Sequence, residues 1–244
     1  MRALPFLIAA VLACAPGTTT VPSTDARAVA PAPPAAIHWF RTAAEQEAAF
    51  VQTYRLAGAR LEELARGRPA GTWAVILDAD ETVLDNSTYQ KERAEQGLPF
   101  SPESWEAWVE RVEADVLPGA AAFIARARQL GGRVVLVSNR DAHICDPTRD
   151  NLLRLDIAVD AVLCREQGVS DKNPRFRAVT DGAVPGLPPL DVLLWVGDNI
   201  QDFPDLSQEL RARGEAAFAE FGSRYFILPN PMYGSWERNP PRQE

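Results

Sequence analysis

The segment Trp73–Tyr89, WAVILDADETVLDNSTY, organises the reading of this chain. WAVILD (73–78) is apolar on consecutive rather than alternating positions. That pattern suits a central parallel strand covered by helices on both faces. The strand delivers two carboxylates, Asp78 and Asp80, into the loop after it. Two later runs repeat the design: RVVLVSNR (133–140) ends on Ser138 and Asn139, and DVLLWVGDNIQDF (191–203) carries Asp198 and Asp202 past its apolar part. Open parallel sheets bind ligands outside the carboxyl ends of their strands. The three runs therefore aim their polar tips at one crevice.

Between these strands the chain alternates. Thr42 to Arg66 reads as one helix with an apolar face at Ala49, Phe50, Thr53, Tyr54, Ala57, Leu61 and Leu64, stopped by Gly67 and Pro69. Residues 90–117 are charged, carry Trp105 and Trp108 three apart, and have a helix start at Ser101-Pro102, so they predict a small helical insert. Helices are expected after Pro118 up to Gly131-Gly132, over about 147–155, over 172–180 with an interruption near Pro174, and over about 204–213. Further strands are expected at 158–164 and 225–229. This alternation predicts an α/β fold with a Rossmann-like, doubly wound parallel sheet.

Composition sets the limits. The 244 residues, 46% hydrophobic and 24% charged, suffice for one substantial domain with a small accessory element. The net charge of −8 disfavours a nucleic-acid polymer as partner. Met1-Arg2 and the apolar run ALPFLIAAVLA precede Cys14. That is the pattern of a signal peptide, too short for a bilayer span of roughly 20 apolar residues. VLAC resembles a bacterial lipoprotein processing site, with Cys14 the lipidated residue. The expected organisation is a signal peptide at 1–13, a lipidated N-terminus and Pro- and Ala-rich tether at 14–36, a globular domain at 37–237 with its helical insert at about 88–117, and a tail at 238–244. Cys145 and Cys164 remain, either paired in an oxidising compartment or present as two buried thiols.

DADET, VSNR, Lys172 and GDNIQD resemble, in order, the four motifs of the haloacid dehalogenase-like phosphohydrolases. DADETVLDNSTY, the Trp105–Val109 segment with LPGA, GDNIQDF and LPNPMYGSWE are more narrowly similar to the bacterial class C acid phosphatases, secreted lipid-anchored enzymes of the 5′-nucleotidase type. The likeness runs from about Trp39 to Glu237. The usual DNSPY reads DNSTY here, which loosens the loop after the catalytic strand, and Ala79 replaces a bulkier apolar residue.

The resemblance implies roles. Asp78 would be the nucleophile that forms an aspartyl-phosphate, and Asp80 the general acid and then base. Ser138 would bond a phosphoryl oxygen, with Asn139 close by, and Arg140 would help position phosphate. Lys172 would stabilise the phosphoryl charge, with Arg175 a weaker substitute. Mg²⁺ would be held by the Asp78 and Asp198 carboxylates, the Asp80 backbone carbonyl and Asp202, directly or through water. Tyr233 is the first choice and Tyr89 the second for a ring that stacks on a nucleobase. His38 and His143 have no role in the scheme. The expected activity is Mg²⁺-dependent hydrolysis of phosphomonoesters, nucleoside 5′-monophosphates foremost. The expected setting is the cell envelope, with a lipid anchor in the membrane (the outer one in a Gram-negative cell) and a homodimer allowed. The alternatives are a broad-specificity phosphatase or phosphotransferase, and a non-catalytic surface binding or storage lipoprotein on the same scaffold.

Overall fold

The computed structural model describes residues 33–241. The expected signal peptide, Cys14 and nearly all of the tether lie outside the described residues, as do residues 242–244. The helix expected over 42–66 is α2 (Ala44–Leu64), and an additional short helix, α1 (Ala35–Thr42), precedes it, separated at Ala43, whose backbone is extended.

The predicted central strand is β1 (Trp73–Leu77), and all five of its residues are buried. It lies at the centre of a five-stranded parallel sheet with β4 (Arg133–Asp141), β5 (Ala161–Arg165), β6 (Asp191–Gly197) and β7 (Tyr225–Ile227), in the order β5-β4-β1-β6-β7. Two-sided burial explains the unbroken apolar run of β1. Val75 and Leu77 face a layer that includes Phe50 and Leu61 of α2, Phe123 and Ile124 of α5 (Ala120–Gln129), and Leu152 of α6 (Cys145–Arg154). Ala74 and Ile76 face Phe176 and Val179 of α7 (Asn173–Thr180), with Phe203. Each fully buried Leu or Ile side chain contributes roughly 1.5–3 kcal/mol through its removal from water. The chain builds outward from β1 to β5 on one side and returns to place β6 on the other. The fold is therefore an α/β doubly wound sheet, and the carboxyl ends of β1, β4 and β6 open at its switch point.

The insert is framed by a short antiparallel pair, β2 (Leu84–Asp85) and β3 (Asp115–Val116). Between them lie α3 (Ser87–Glu95) and α4 (Pro102–Glu110). Ser101 caps α4 by accepting from the Ser104 amide at 3.2 Å, and Pro102 occupies the first turn, where a missing N–H is harmless. Trp108 is buried and Trp105 half-buried.

Two expectations are corrected. Residues 204–213 are not an α-helix: Asp205 has φ 58°, and the chain then forms 3₁₀ turns at Gln208–Ala212 and Glu215–Phe218, separated by Gly214 at φ 74°. Pro174 does not interrupt its helix, because it falls in the first turn of α7. The two remaining cysteines are bonded to each other: Cys145, at the start of α6, and Cys164, on β5, form a disulfide with Cα atoms 6.0 Å apart. No helix among the described residues is long and apolar enough to cross a membrane.

Candidate active site

The turn after β1 is tightly built. The amides of Val83 and Leu84 both donate to the Ala79 carbonyl, at 2.9 and 2.8 Å, and Glu81 adopts φ 51°. From α2, the Tyr54 hydroxyl donates to the Thr82 carbonyl at 2.8 Å and fixes the turn from behind. Ala79 is fully buried within it, away from the crevice.

Asp78 lies at the floor, 8% exposed. Lys172, just before α7, donates to Asp78 Oδ1 at 2.5 Å and to Asp202 Oδ1 at 2.7 Å. Asp202 Oδ2 accepts from the Asn199 amide at 2.8 Å. Asp198, at the tip of β6, accepts from Thr82 Oγ1 at 3.3 Å and from Asn230 Nδ2 at 2.8 Å. One oxygen from each of Asp78, Asp198 and Asp202 lies within 4.8 Å of the others. Gly197 makes this crowding possible: a Cβ there would fall 2.3 Å from Asp202 Cβ.

The charge balance follows. Burial, with Asp202 and Asp80 adding and Lys172 opposing, pushes Asp78 up to about 7. Burial likewise raises Asp198 well above the usual carboxylate range, reinforced by Asp202 and Asp78. Burial works against the Lys172 ammonium, yet Asp202 and Asp78 outweigh it and hold its pKa above the ordinary value. This set of hard oxygen donors carries more negative charge than Lys172 neutralises. It fits a divalent cation of the Mg²⁺ kind, which would relieve that excess.

Asp80 sits in a different environment. Its Oδ1 accepts from Arg140 Nε at 3.0 Å, Arg140 Nη2 at 2.8 Å and Asn86 Nδ2 at 2.9 Å. Its Oδ2 accepts at longer range, from Arg140 Nε at 3.3 Å and from Ser138 Oγ at 3.5 Å. Ser138 is fully buried, and its hydroxyl accepts from the Arg140 amide at 3.0 Å. Asn139 is held by Arg175, which donates to its Oδ1 at 2.6 Å and also to the Ser138 carbonyl.

A cleft of about 630 Å³ opens over this floor. Asp78, Asp80, Lys172, Asp198 and Asp202 line it, with Asn139 and Arg140. Phe100 and Trp105 of the insert and Met232 and Tyr233 of the tail form other parts of its wall. Two expected site residues do not line it. Ser138 lies beneath the floor, and Tyr89 is 2% exposed, bonded to Ser104 Oγ and packed edge-on against Trp105. Arg140 reaches the cleft, but all three guanidinium nitrogens are already engaged, by Asp80, Thr148 and Asn86. His38 and His143 are exposed and do not line the cleft, His143 pairing with Glu106.

Sequence reasoning passed over Asn86, Glu81, Thr82 and Asn230. The first three stand inside the DADETVLDNSTY motif, and Asn230 inside LPNPMYGSWE. Their types gave the only available signal. Glu81 is fully buried, with its Oε1 accepting from the Asn86 amide at 2.9 Å, and burial followed by Asp80 raises its pKa well above the usual range.

A family model described as HAD superfamily, subfamily IIIB (acid phosphatase) matches residues 8–236. The structure is similar to that of the class C acid phosphatase from Bacillus anthracis with tungstate bound. The TM-score is 0.73 and the identity 32%, over 83% of this chain and 85% of that one. A second structure of the Bacillus anthracis class C acid phosphatase matches with the same values.

Proposed function

This chain belongs to the acid phosphatases of HAD subfamily IIIB and is a phosphoric monoester hydrolase, and on that premise we propose that Asp78 is its nucleophile, Asp80 its proton carrier and nucleoside 5′-monophosphates its leading substrates. The observation that carries this reading is the contrast between the two aspartates. Asp80 Oδ1 is saturated by three donors, whereas among the described residues no hydrogen bond is directed at Asp78 Oδ2, on the cleft floor.

In the proposed reaction an Asp78 oxygen bonds to phosphorus as the bond from phosphorus to the ester oxygen breaks. Asp80 gives its proton to that leaving oxygen. Water then attacks phosphorus, gives a proton to Asp80, and displaces the Asp78 carboxylate, so free phosphate leaves and both aspartates return to their starting states. The Lys172 ammonium offsets negative charge on Asp78 and the phosphoryl group. Asp78, Asp198 and Asp202 are the residues that would hold Mg²⁺, with the Asp80 carbonyl. A bound Mg²⁺ supplies charge neutralisation at the phosphoryl oxygens. Asn139 is in reach of the phosphoryl end, and Ser138 acts on it only by supporting the floor.

The aromatic wall supports the nucleotide preference. Tyr233, Phe100 and Trp105 offer π-faces in the cleft, and stacking contributes roughly 1–3 kcal/mol per base. A broad phosphatase would not need them. We further propose, from sequence alone, export with removal of the signal peptide, lipidation at Cys14 and anchoring at the envelope, at the outer membrane in a Gram-negative cell. Homodimerisation is part of the same proposal.

The test is phosphate release from AMP, NMN and p-nitrophenyl phosphate with Mg²⁺, in wild type, Asp78→Asn and Tyr233→Ala. Asp78→Asn is expected to abolish turnover of all three, and equal activity in that variant overturns the nucleophile assignment. Tyr233→Ala is expected to raise KM for AMP and NMN only, and a uniform loss favours the broad phosphatase. Palmitate labelling that persists in Cys14→Ser overturns the anchor.

A further inference from the structure

Asp80 is gripped by a buried network that begins in the insert. Trp108 of α4 donates from Nε1 to Asn86 Oδ1 at 2.8 Å. Arg140 Nη2 donates to the same oxygen at 3.1 Å. Both of these groups are donors only, so the amide orientation of Asn86 is forced: its oxygen faces Trp108 and Arg140, and its Nδ2 faces Asp80 Oδ1 at 2.9 Å. The Asn86 backbone amide donates to Glu81 Oε1 at 2.9 Å, which fixes the residue from the other side. Arg140 is anchored in turn by Thr148 Oγ1 at 3.1 Å, on α6, and Trp105 lies against it with the guanidinium carbon 5.4 Å from its ring centre. Asn86 is fully buried, Arg140 2% exposed and Trp108 3% exposed.

We propose that Asn86 and Arg140 are positioning residues for Asp80, and that Trp108 makes the seating of the insert a condition of that positioning. The inference rests on Asp80 being the proton carrier. Three donors hold Oδ1 at 2.8–3.0 Å, whereas Oδ2 receives only the longer contacts from Arg140 Nε at 3.3 Å and Ser138 Oγ at 3.5 Å, so Oδ2 is the oxygen left to carry the transferable proton. The network fixes the direction in which Oδ2 points. A shift of the insert moves the Trp108 indole, releases one side of the Asn86 amide and lets Oδ2 swing away from the leaving oxygen. The insert thus does more than wall the cleft: it sets the proton donor in place.

The readout is the dependence on leaving group. A nucleoside alkoxide needs a proton to depart, whereas p-nitrophenolate leaves without one. The first turnover is measured by rapid quench for AMP and for p-nitrophenyl phosphate, with KM and the thermal midpoint, in wild type, Asn86→Ala, Arg140→Lys, Trp108→Phe and Asp80→Asn. Asn86→Ala and Arg140→Lys are expected to slow the AMP first turnover about 100-fold, the low end of what a positioned acid contributes. On p-nitrophenyl phosphate the same variants should slow by less than about 3-fold, with KM unchanged on both substrates. Trp108→Phe keeps an aromatic ring at a smaller volume and deletes the indole N–H. It is expected to show the same selectivity at about 3- to 10-fold, and it carries the test if Asn86→Ala does not fold. Equal loss on both leaving groups in Trp108→Phe and Arg140→Lys overturns the proposal and leaves a structural role. If Asp80→Asn itself shows no leaving-group selectivity, the proton-carrier reading fails and the positioning role falls with it. If Asp80→Asn is selective and the other variants are not, only the positioning role fails.

Discussion

Replacing Lys172 with methionine probes the charge balance of the floor. The side chains are similar in length, so the change mainly removes the ammonium that bridges Asp78 at 2.5 Å and Asp202 at 2.7 Å. Lys172 is 3% exposed, so the loss leaves a buried group of carboxylates without its counter-charge. Breaking such a pair from one side costs about 3–5 kcal/mol. In a chain of this length each kcal/mol moves the midpoint by about 2–4 °C, so the metal-free variant should melt about 6–20 °C lower at pH 8. The gap should narrow at pH 5. Lys172 stays charged throughout, because the acids beside it hold its pKa above the ordinary value. The pH dependence therefore comes from the carboxylates, which in the variant relieve their repulsion by taking up protons. The assay is calorimetry with chelator at both pH values, completed by the Asp202→Asn cycle. Lys172→Met/Asp202→Asn should recover at least about 1 kcal/mol of the sum of the single losses. An equal loss at pH 5 and pH 8, with additive single losses, would refute the electrostatic account and leave only packing.

Three further outcomes are expected. Asp78 has a folded-state pKa of about 7 against 3.8 for an ordinary aspartate, so folding takes up a proton between those values. Asp78 should therefore contribute at most about 4 kcal/mol to a loss of stability in the metal-free protein as pH rises from about 4 to about 7, with Asp198 and Glu81, also raised by burial, adding in the same direction; denaturant titrations in chelator check this, and Asp78→Asn should reduce the slope. Gly197→Ala would place a Cβ 2.3 Å from Asp202 Cβ and 2.5 Å from its Oδ2, displacing a metal-site carboxylate; titration calorimetry should show Mg²⁺ affinity lowered about 10-fold, and unchanged affinity would contradict the geometry. Reducing Cys145–Cys164, which closes a loop with a sequence separation of 19, should cost about 3 kcal/mol and lower the midpoint by about 6–12 °C.

The three central strands were legible because burial on two faces leaves a mark that needs no partner information: Trp73–Leu77 is apolar throughout, and all of it is buried. The parallel topology then brings Asp78 and Asp198 together, since the ends of the neighbouring strands β1 and β6 lie side by side, and Lys172 joins them from the start of α7. What the residue types could not show is which neighbour a polar side chain chooses. Asn86 in DNSTY looks like a turn former, yet it joins Trp108, Arg140, Glu81 and Asp80. Arg140 reads as a phosphate ligand until its nitrogens are seen engaged elsewhere. Tyr89 reads as an available ring until α4 covers it. Residues 204–213 have helical composition, but the backbone at Asp205 turns left-handed and the segment closes into 3₁₀ turns. The cysteine pairing was equally open, because spacing along the chain says nothing about the approach of α6 to β5.

The central claim, that phosphate is transferred through Asp78, is tested most directly by trapping the covalent state. Protein turning over phosphate-labelled p-nitrophenyl phosphate is quenched in acid within the first turnover, digested and mapped by mass spectrometry. The account predicts label on the peptide that contains Asp78, at that residue, and none in Asp78→Asn. Label on any other residue, or full turnover by Asp78→Asn, would contradict it.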